Sequence, residues 1–262
     1  RFIEILNLFF MQYEQTSSCL RPLPKPCVYT GAGLERVTAV LNNVYSNYDI
    51  DVFTHLINKI SKRLHYTFSS DKNFDAFIRV VADHARASTF LIADGVIPSN
   101  EGRGYVLRRI IRRALFHARQ VYLNYADDTA RFVGERESKA GIEHVYFQEA
   151  CIDVIDLFQS AYPELNDSRD NISKWIYEEE SKFLKVLARG NDLLIDEIEA
   201  LKSQNKHQLS GATAFKLYDT YGFPVDLTQL IVCRENLLVD LKEYDQLMKK
   251  QTFVFYYHEL VK

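Results

Sequence analysis

A glycine pair, Gly31 and Gly33, separates a β-like opening from a chain whose pattern is otherwise helical. Ahead of it, Phe2-Ile-Glu-Ile-Leu-Asn-Leu-Phe-Phe-Met-Gln-Tyr13 is rich in β-formers and long enough for a central strand. Gln15 to Pro26 holds Pro22, Pro24 and Pro26, which cannot donate to a ladder. A long loop is therefore expected there, with Cys27 to Thr30 as the return strand. Behind the glycines, Leu34, Val37, Val40, Leu41 and Val44 fall at helical spacing. From Ile78 onward the chain reads as helix, with loops at 94–104, 162–170 and 202–211. Ser210 or Gly211 is placed to cap a helix starting near Ala212, and Trp175 to Leu201 has the apolar spacing of an amphipathic helix. The expected class is α+β: a first unit at 1–62, a polar and irregular linker at 63–77, and a helical unit at 78–262.

Of the 262 residues 47% are apolar, enough for a sizeable core and far above the content of a disordered tail. Cys19, Cys27, Cys151 and Cys233 lie far apart with no Cys-x-x-Cys pair, which excludes a disulfide scaffold. His55, His65 and His117 lack metal-ligand spacing, so no zinc or other metal site is expected. No apolar run approaches the roughly 18 residues of a membrane span, and the opening has no basic segment before its apolar stretch. These features predict a soluble, cytoplasmic protein with no membrane partner. An opening on Arg1, already inside a strand-like segment, is expected of the middle of a longer protein.

The net charge of −3 hides strong local polarity. Arg79 to Arg119 is rich in arginine, and Cys151 to Ala200 is rich in Asp and Glu. In Thr30-Gly-Ala-Gly-Leu-Glu-Arg-Val37 the glycines allow close backbone approach at a helix N-terminus that attracts anions, and Arg36 adds a guanidinium one turn in. The alternative is a plain turn followed by a solvated Glu35–Arg36 pair. In Val106-Leu-Arg-Arg-Ile-Ile-Arg-Arg-Ala-Leu-Phe-His117, residues Arg108, Arg109, Arg112 and Arg113 share about a 140° arc at ~100° per residue. Ile110, Ile111, Ala114 and Leu115 take the other side. Arginine used four times suits phosphate recognition. Pairing with the acidic segment after Cys151 competes with that reading. Asp83-His84 with Arg86 reads as structural more readily than as a catalytic pair.

Thr30-Gly-Ala-Gly-Leu-Glu-Arg36 resembles motif 3 of the class II aminoacyl-tRNA synthetases. Leu23-Pro-Lys-Pro26, Asn47-Tyr-Asp-Ile-Asp51, Ala82-Asp-His84, Phe90-Leu-Ile-Ala-Asp-Gly95, Pro98-Ser-Asn100 and Arg103-Gly-Tyr-Val-Leu-Arg-Arg109 narrow the resemblance to the alanyl-tRNA synthetase family. So does Leu217-Tyr-Asp-Thr-Tyr-Gly-Phe-Pro-Val-Asp-Leu-Thr228. The resemblance implies the end of an antiparallel catalytic sheet that activates alanine with ATP and Mg2+, followed by a helical domain that recognises the acceptor stem of tRNA(Ala). It implies that Arg36 contacts the ATP triphosphate as a catalytic group and that Gly31 and Gly33 admit the nucleotide. Asn7, Phe9 and Tyr29 would line the amino-acid pocket. Asn100 and Asp219 would read the acceptor-stem G·U pair, one from each side. Arg103, Arg108, Arg109, Arg112 and Arg113 would hold phosphates and set register without reading sequence.

The chain also departs from that family. Motifs 1 and 2 fall outside it, so the chain by itself is expected not to activate alanine. The family usually has Trp at the Leu6 position, Val at the Phe9 position and Asp at the Tyr29 position. Tyr29 offers a hydroxyl where a carboxylate would hold the substrate ammonium, a loss of about 1.5–3 kcal/mol of binding. These departures keep an alternative open, a non-catalytic acceptor-stem binding module. A third reading, a helical protein–protein scaffold whose arginines only form salt bridges, is disfavoured by the intact Asn100, Arg103 to Arg113 and Asp219 set.

Overall fold

The computed structural model of the chain describes residues 3–125, 146–221 and 223–260. Helix expected over 126–145 lies outside the described residues. The chain divides into two compact units, residues 1–58 and 59–262.

In the first unit, β1 (Leu6–Gln15) and β2 (Leu20–Ala32) form an antiparallel hairpin. β2 is far longer than the Cys27 to Thr30 return strand expected, and the turn sits at Thr16 to Cys19. The Thr16 hydroxyl closes that turn, donating to the Cys19 carbonyl at 2.8 Å and accepting the Cys19 amide at 3.1 Å. The prolines are accommodated by a break in register. Between the pairs Met11↔Cys27 and Tyr13↔Pro22 β1 advances two residues while β2 advances five, so Pro24 and Pro26 have no partner in the ladder. After the glycines come α1 (Leu34–Leu41), a 3₁₀ turn (Asn47–Asp49) and α2 (Asp51–Arg63), which runs through the division between the units. α1 buries Ala39 and leaves Leu34, Val40 and Leu41 exposed, so its expected apolar stripe is not a covered one.

The second unit is helical, and the two units together give the α+β class that the sequence predicts. α3 (Lys72–Ala93) starts six residues before Ile78, with the Asp71 carboxylate capping it by accepting the Asn73 amide at 2.7 Å. The turn before it is ordered by Tyr66, whose buried hydroxyl donates to Asp75 at 2.6 Å. α4 (Gly102–Tyr125), α5 (Tyr146–Phe158), a short α6 (Glu164–Asp167) and the 35-residue α7 (Arg169–Ser203) follow. α3, α4, α5 and α7 pack together around Ile78, Val81, Ala85 and Ile92, Leu107, Ile111 and Ala114, Phe147 and Val154, and Ile172, Ile176 and Phe183. These positions recur at three and four residues, which places one face of each helix inward.

Beyond α7, β3 (Gln208–Leu209) and β4 (Leu238–Val239) form a two-residue parallel ladder inside the expected 202–211 loop and its partner segment. α8 (Gly211–Tyr221), α9 (Val225–Arg234) and α10 (Leu241–Leu260) complete the chain. Ser210 caps α8 as expected, its hydroxyl accepting the Thr213 amide at 3.0 Å. Gly211 is required where α8 meets α10, because a Cβ there would lie 2.3 Å from the Tyr244 amide nitrogen.

Candidate functional site

The glycine turn carries the hairpin directly into α1. The Gly33 amide donates to the Ile5 carbonyl at 3.1 Å, and the Gly33 carbonyl accepts from Val37 at 2.9 Å, so one residue ends the ladder and begins the helix. The register Asn7↔Gly31 and Phe9↔Tyr29 puts these four residues on one face of the hairpin. The Phe9 and Tyr29 rings are 6.0 Å apart. Glu4 to Asn7, Phe9, Gly31 to Gly33 and Arg36 line an open cavity of about 270 Å³. Arg36 is held there by its Nη1, which donates to the Glu4 carbonyl at 2.7 Å. Glu4 is the carboxylate of the lining, and its Oε1 accepts from Asn7 at 2.7 Å. A Cβ on Gly33 would come within 3.3 Å of the Arg36 side chain, whereas one on Gly31 would meet nothing nearer than 4.0 Å. Gly33 therefore leaves room for the Arg36 side chain beside it, and Gly31 keeps the cavity floor low.

The arginines of α4 fall into two groups. Arg109 and Arg113 are exposed, as is Arg103, and none of the three has an ion-pair partner among the described residues. Arg108 and Arg112 turn to Glu179 of α7, whose side chain is only 3% exposed. Arg108 Nε donates to Oε2 at 3.2 Å and Arg112 Nε to Oε1 at 2.7 Å. The Arg112 guanidinium also lies 5.2 Å over the Phe183 ring. Internal pairing with the acidic segment thus holds for Arg108 and Arg112, while Arg109 and Arg113 lie on an exposed cationic surface.

Asn100 sits in the loop just before α4 and is exposed. Its Oδ1 accepts from Arg108 Nη1, and Arg108 Nη2 also approaches the Pro98 carbonyl at 3.5 Å. Gly104 lets this loop fold back on α4, since a Cβ there would be 2.2 Å from both the Ile97 carbonyl oxygen and Ser99 Oγ. Asp219 is exposed on α8. For the residue before it, Tyr218, burial first, then Tyr105 in the first turn of α4 and Asp219, push the hydroxyl up to about 12. Glu179, Tyr105, Tyr218 and Gly104 were not foreseen from the sequence.

Three carboxylates are tuned without belonging to these surfaces. Glu180 is 1% exposed and accepts the α5 amides of Phe147 at 3.3 Å and Gln148 at 3.2 Å. Burial outweighs those amides and pushes its carboxyl up to about 7. Burial would also raise Asp153, but Arg63 and Lys59 override it and hold that carboxyl below the usual range. Asp83 is bridged by His84 at 3.3 Å and Arg86 at 3.0 Å, which keep it low; this trio holds α3 together internally. No group of three or more potential metal ligands occurs among the described residues, and no helix there is long and apolar enough to cross a membrane.

The model of the family "tRNA synthetases class II (A)" matches residues 1–254, and the chain belongs to that family. Within it the similarity is to alanine–tRNA ligases. The chain is 45% identical over 252 residues to the enzyme of Legionella pneumophila (strain Lens) and 45% over 252 residues to that of Rickettsia akari (strain Hartford). It is 42% identical over 253 residues to that of Oleidesulfovibrio alaskensis. Each alignment covers 96% of this chain but only 26% or 27% of the relative, so the chain spans about a quarter of the length of the curated relatives it matches.

Proposed function

We propose that the chain serves an alanine–tRNA ligase in two ways, contributing the glycine-turn segment that meets ATP and the helical unit that recognises the acceptor stem of tRNA(Ala). The observation that carries the second role is the setting of Asn100, whose Oδ1 accepts from Arg108 while Arg108 is itself held by Glu179. Asn100 and Asp219, a carboxamide and a carboxylate suited to base edges, are both exposed, as are Arg103, Arg109 and Arg113. Phosphate contacts from those arginines position the stem, and the two smaller groups read it.

For the first role, Arg36 at the N-terminal turn of α1 supplies a charged donor to the triphosphate, and Gly31 leaves room for it. Mg2+ would enter with the nucleotide, since it is commonly held by one or two carboxylates plus phosphates. Phe9 and Tyr29, packed 6.0 Å apart, occupy the face that the resemblance assigns to alanine. That pairing favours, as a second reading, a module that binds the acceptor stem without activating alanine.

Binding of an acceptor-stem RNA duplex, measured at several salt concentrations with a G·U and with a G·C pair, tests the proposal. Salt-sensitive binding with preference for G·U is expected, and Asn100→Ala or Asp219→Ala should mainly erode the preference. Equal affinity of the unaltered chain for both duplexes overturns it.

A further inference from the structure

The geometry points to Glu179 as a positioning residue for base-pair readout, acting through Arg108 on the carboxamide of Asn100. This inference rests on the acceptor-stem reading above and adds to it the device that sets which hydrogen-bonding group is presented.

An asparagine side chain has an acceptor oxygen at one end and two donor hydrogens at the other, and a free carboxamide can turn to offer either. Arginine has donors only. With Arg108 Nη1 donating to Oδ1, the oxygen of Asn100 is committed inward and the Nδ2 donors are left facing out. The guanidinium that enforces this choice is itself fixed. Its Nε is engaged by Glu179, and its Nη2 reaches the Pro98 carbonyl two residues before Asn100. Glu179 is 2% exposed and its other oxygen is held by Arg112, so it cannot follow a mobile Arg108 outward. The chain of contacts from the α7 core to the loop therefore presents a donor at Asn100. A donor held in one orientation discriminates base-edge patterns that a carboxamide free to turn would not.

Arg108→Lys is the informative variant because it keeps the positive charge and loses the planar fork that joins Glu179, Pro98 and Asn100. Two readouts on the full chain separate this inference from the reading it rests on. The first needs no RNA: the side-chain NH2 resonances of Asn100 in a nitrogen-15 correlation spectrum. They are expected to stand apart from those of solvated asparagines, and to collapse toward them in Arg108→Lys and Glu179→Gln. The second is the ratio of affinities for G·U and G·C acceptor-stem duplexes. Arg108→Lys is expected to lower that ratio by about tenfold, the scale of one good base contact. A phosphate contact alone would leave the ratio and the Asn100 resonances unmoved in Arg108→Lys, and that result overturns the inference. If Glu179→Gln fails to fold, Arg108→Lys decides alone. If the unaltered chain shows no preference while its Asn100 resonances respond as expected, the acceptor-stem reading falls and Glu179 keeps only its hold on the carboxamide.

Discussion

Gly104 lies so close to Ile97 that a Cβ on it would sit 2.2 Å from the Ile97 carbonyl oxygen. The Asn100 loop thus folds against α4 only because that position has no side chain. Gly104→Ala is expected to cost about 1–3 kcal/mol of stability by overpacking and to weaken the preference for a G·U acceptor stem. Urea denaturation together with duplex binding checks both. A stability unchanged within experimental error would mean that the loop yields without cost.

Arg109 and Arg112 are three positions apart on one helix and are expected to behave oppositely. Arg109→Ala removes an exposed charge, so stability should stay within about 0.5 kcal/mol while RNA affinity falls and its salt dependence flattens by about one phosphate contact. Arg112→Ala leaves the buried Glu179 with Arg108 as its remaining cation. That change should cost about 2–4 kcal/mol. Paired denaturation and salt-titration experiments on the two variants separate the roles.

Glu180 makes stability depend on pH near neutrality. Its folded pKa of about 7 lies above the ordinary value of 4.5, so the folded state holds a proton that the unfolded chain releases between those values. Its contribution is present below about pH 4.5 and is lost as pH rises through about 7. Stability should therefore fall between pH 5 and 8, by about 3 kcal/mol at most from this group. Glu180→Gln should flatten that slope, as read by urea midpoints at a series of pH values.

Asp153 acts in the opposite sense at lower pH. Its carboxyl is held below the usual value by Arg63 and Lys59, so its contribution is present above the unfolded pKa of 3.8 and is lost as pH falls through the folded one. Arg63→Ala should destabilise the second unit by about 2–3 kcal/mol at pH 7 and shift acid unfolding to higher pH. Circular dichroism followed from pH 6 to pH 2 gives the comparison.

Much of the helical unit was legible because its burial is periodic: Leu107, Ile111, Ala114 and Leu115 are buried on the face opposite the arginines, with Ile110 only partly covered. The proline misfit is legible for Pro24 and Pro26, but Pro22 pairs with Tyr13 and the turn is far shorter than the expected loop. Hydrogen bonds between Thr16 and Cys19 decide the turn, and the misfit is absorbed as a register break instead. The division among the arginines was not legible. Glu179 lies 71 residues from Arg108 and 67 from Arg112, and no local spacing says which of a dozen acidic side chains will come inward.

Glu179 and Glu180 are consecutive on α7, about 100° apart around its axis, and they hold different neighbours. One accepts from the arginines of α4, the other from the opening amides of α5. A turn of α7 by a single residue would withdraw both at once. The helix is therefore indexed about its own axis, and one angle of rotation settles both where the α4 cations point and where α5 begins. Inserting or deleting one residue in the first turns of α7 should disturb both places together, however conservative the residue.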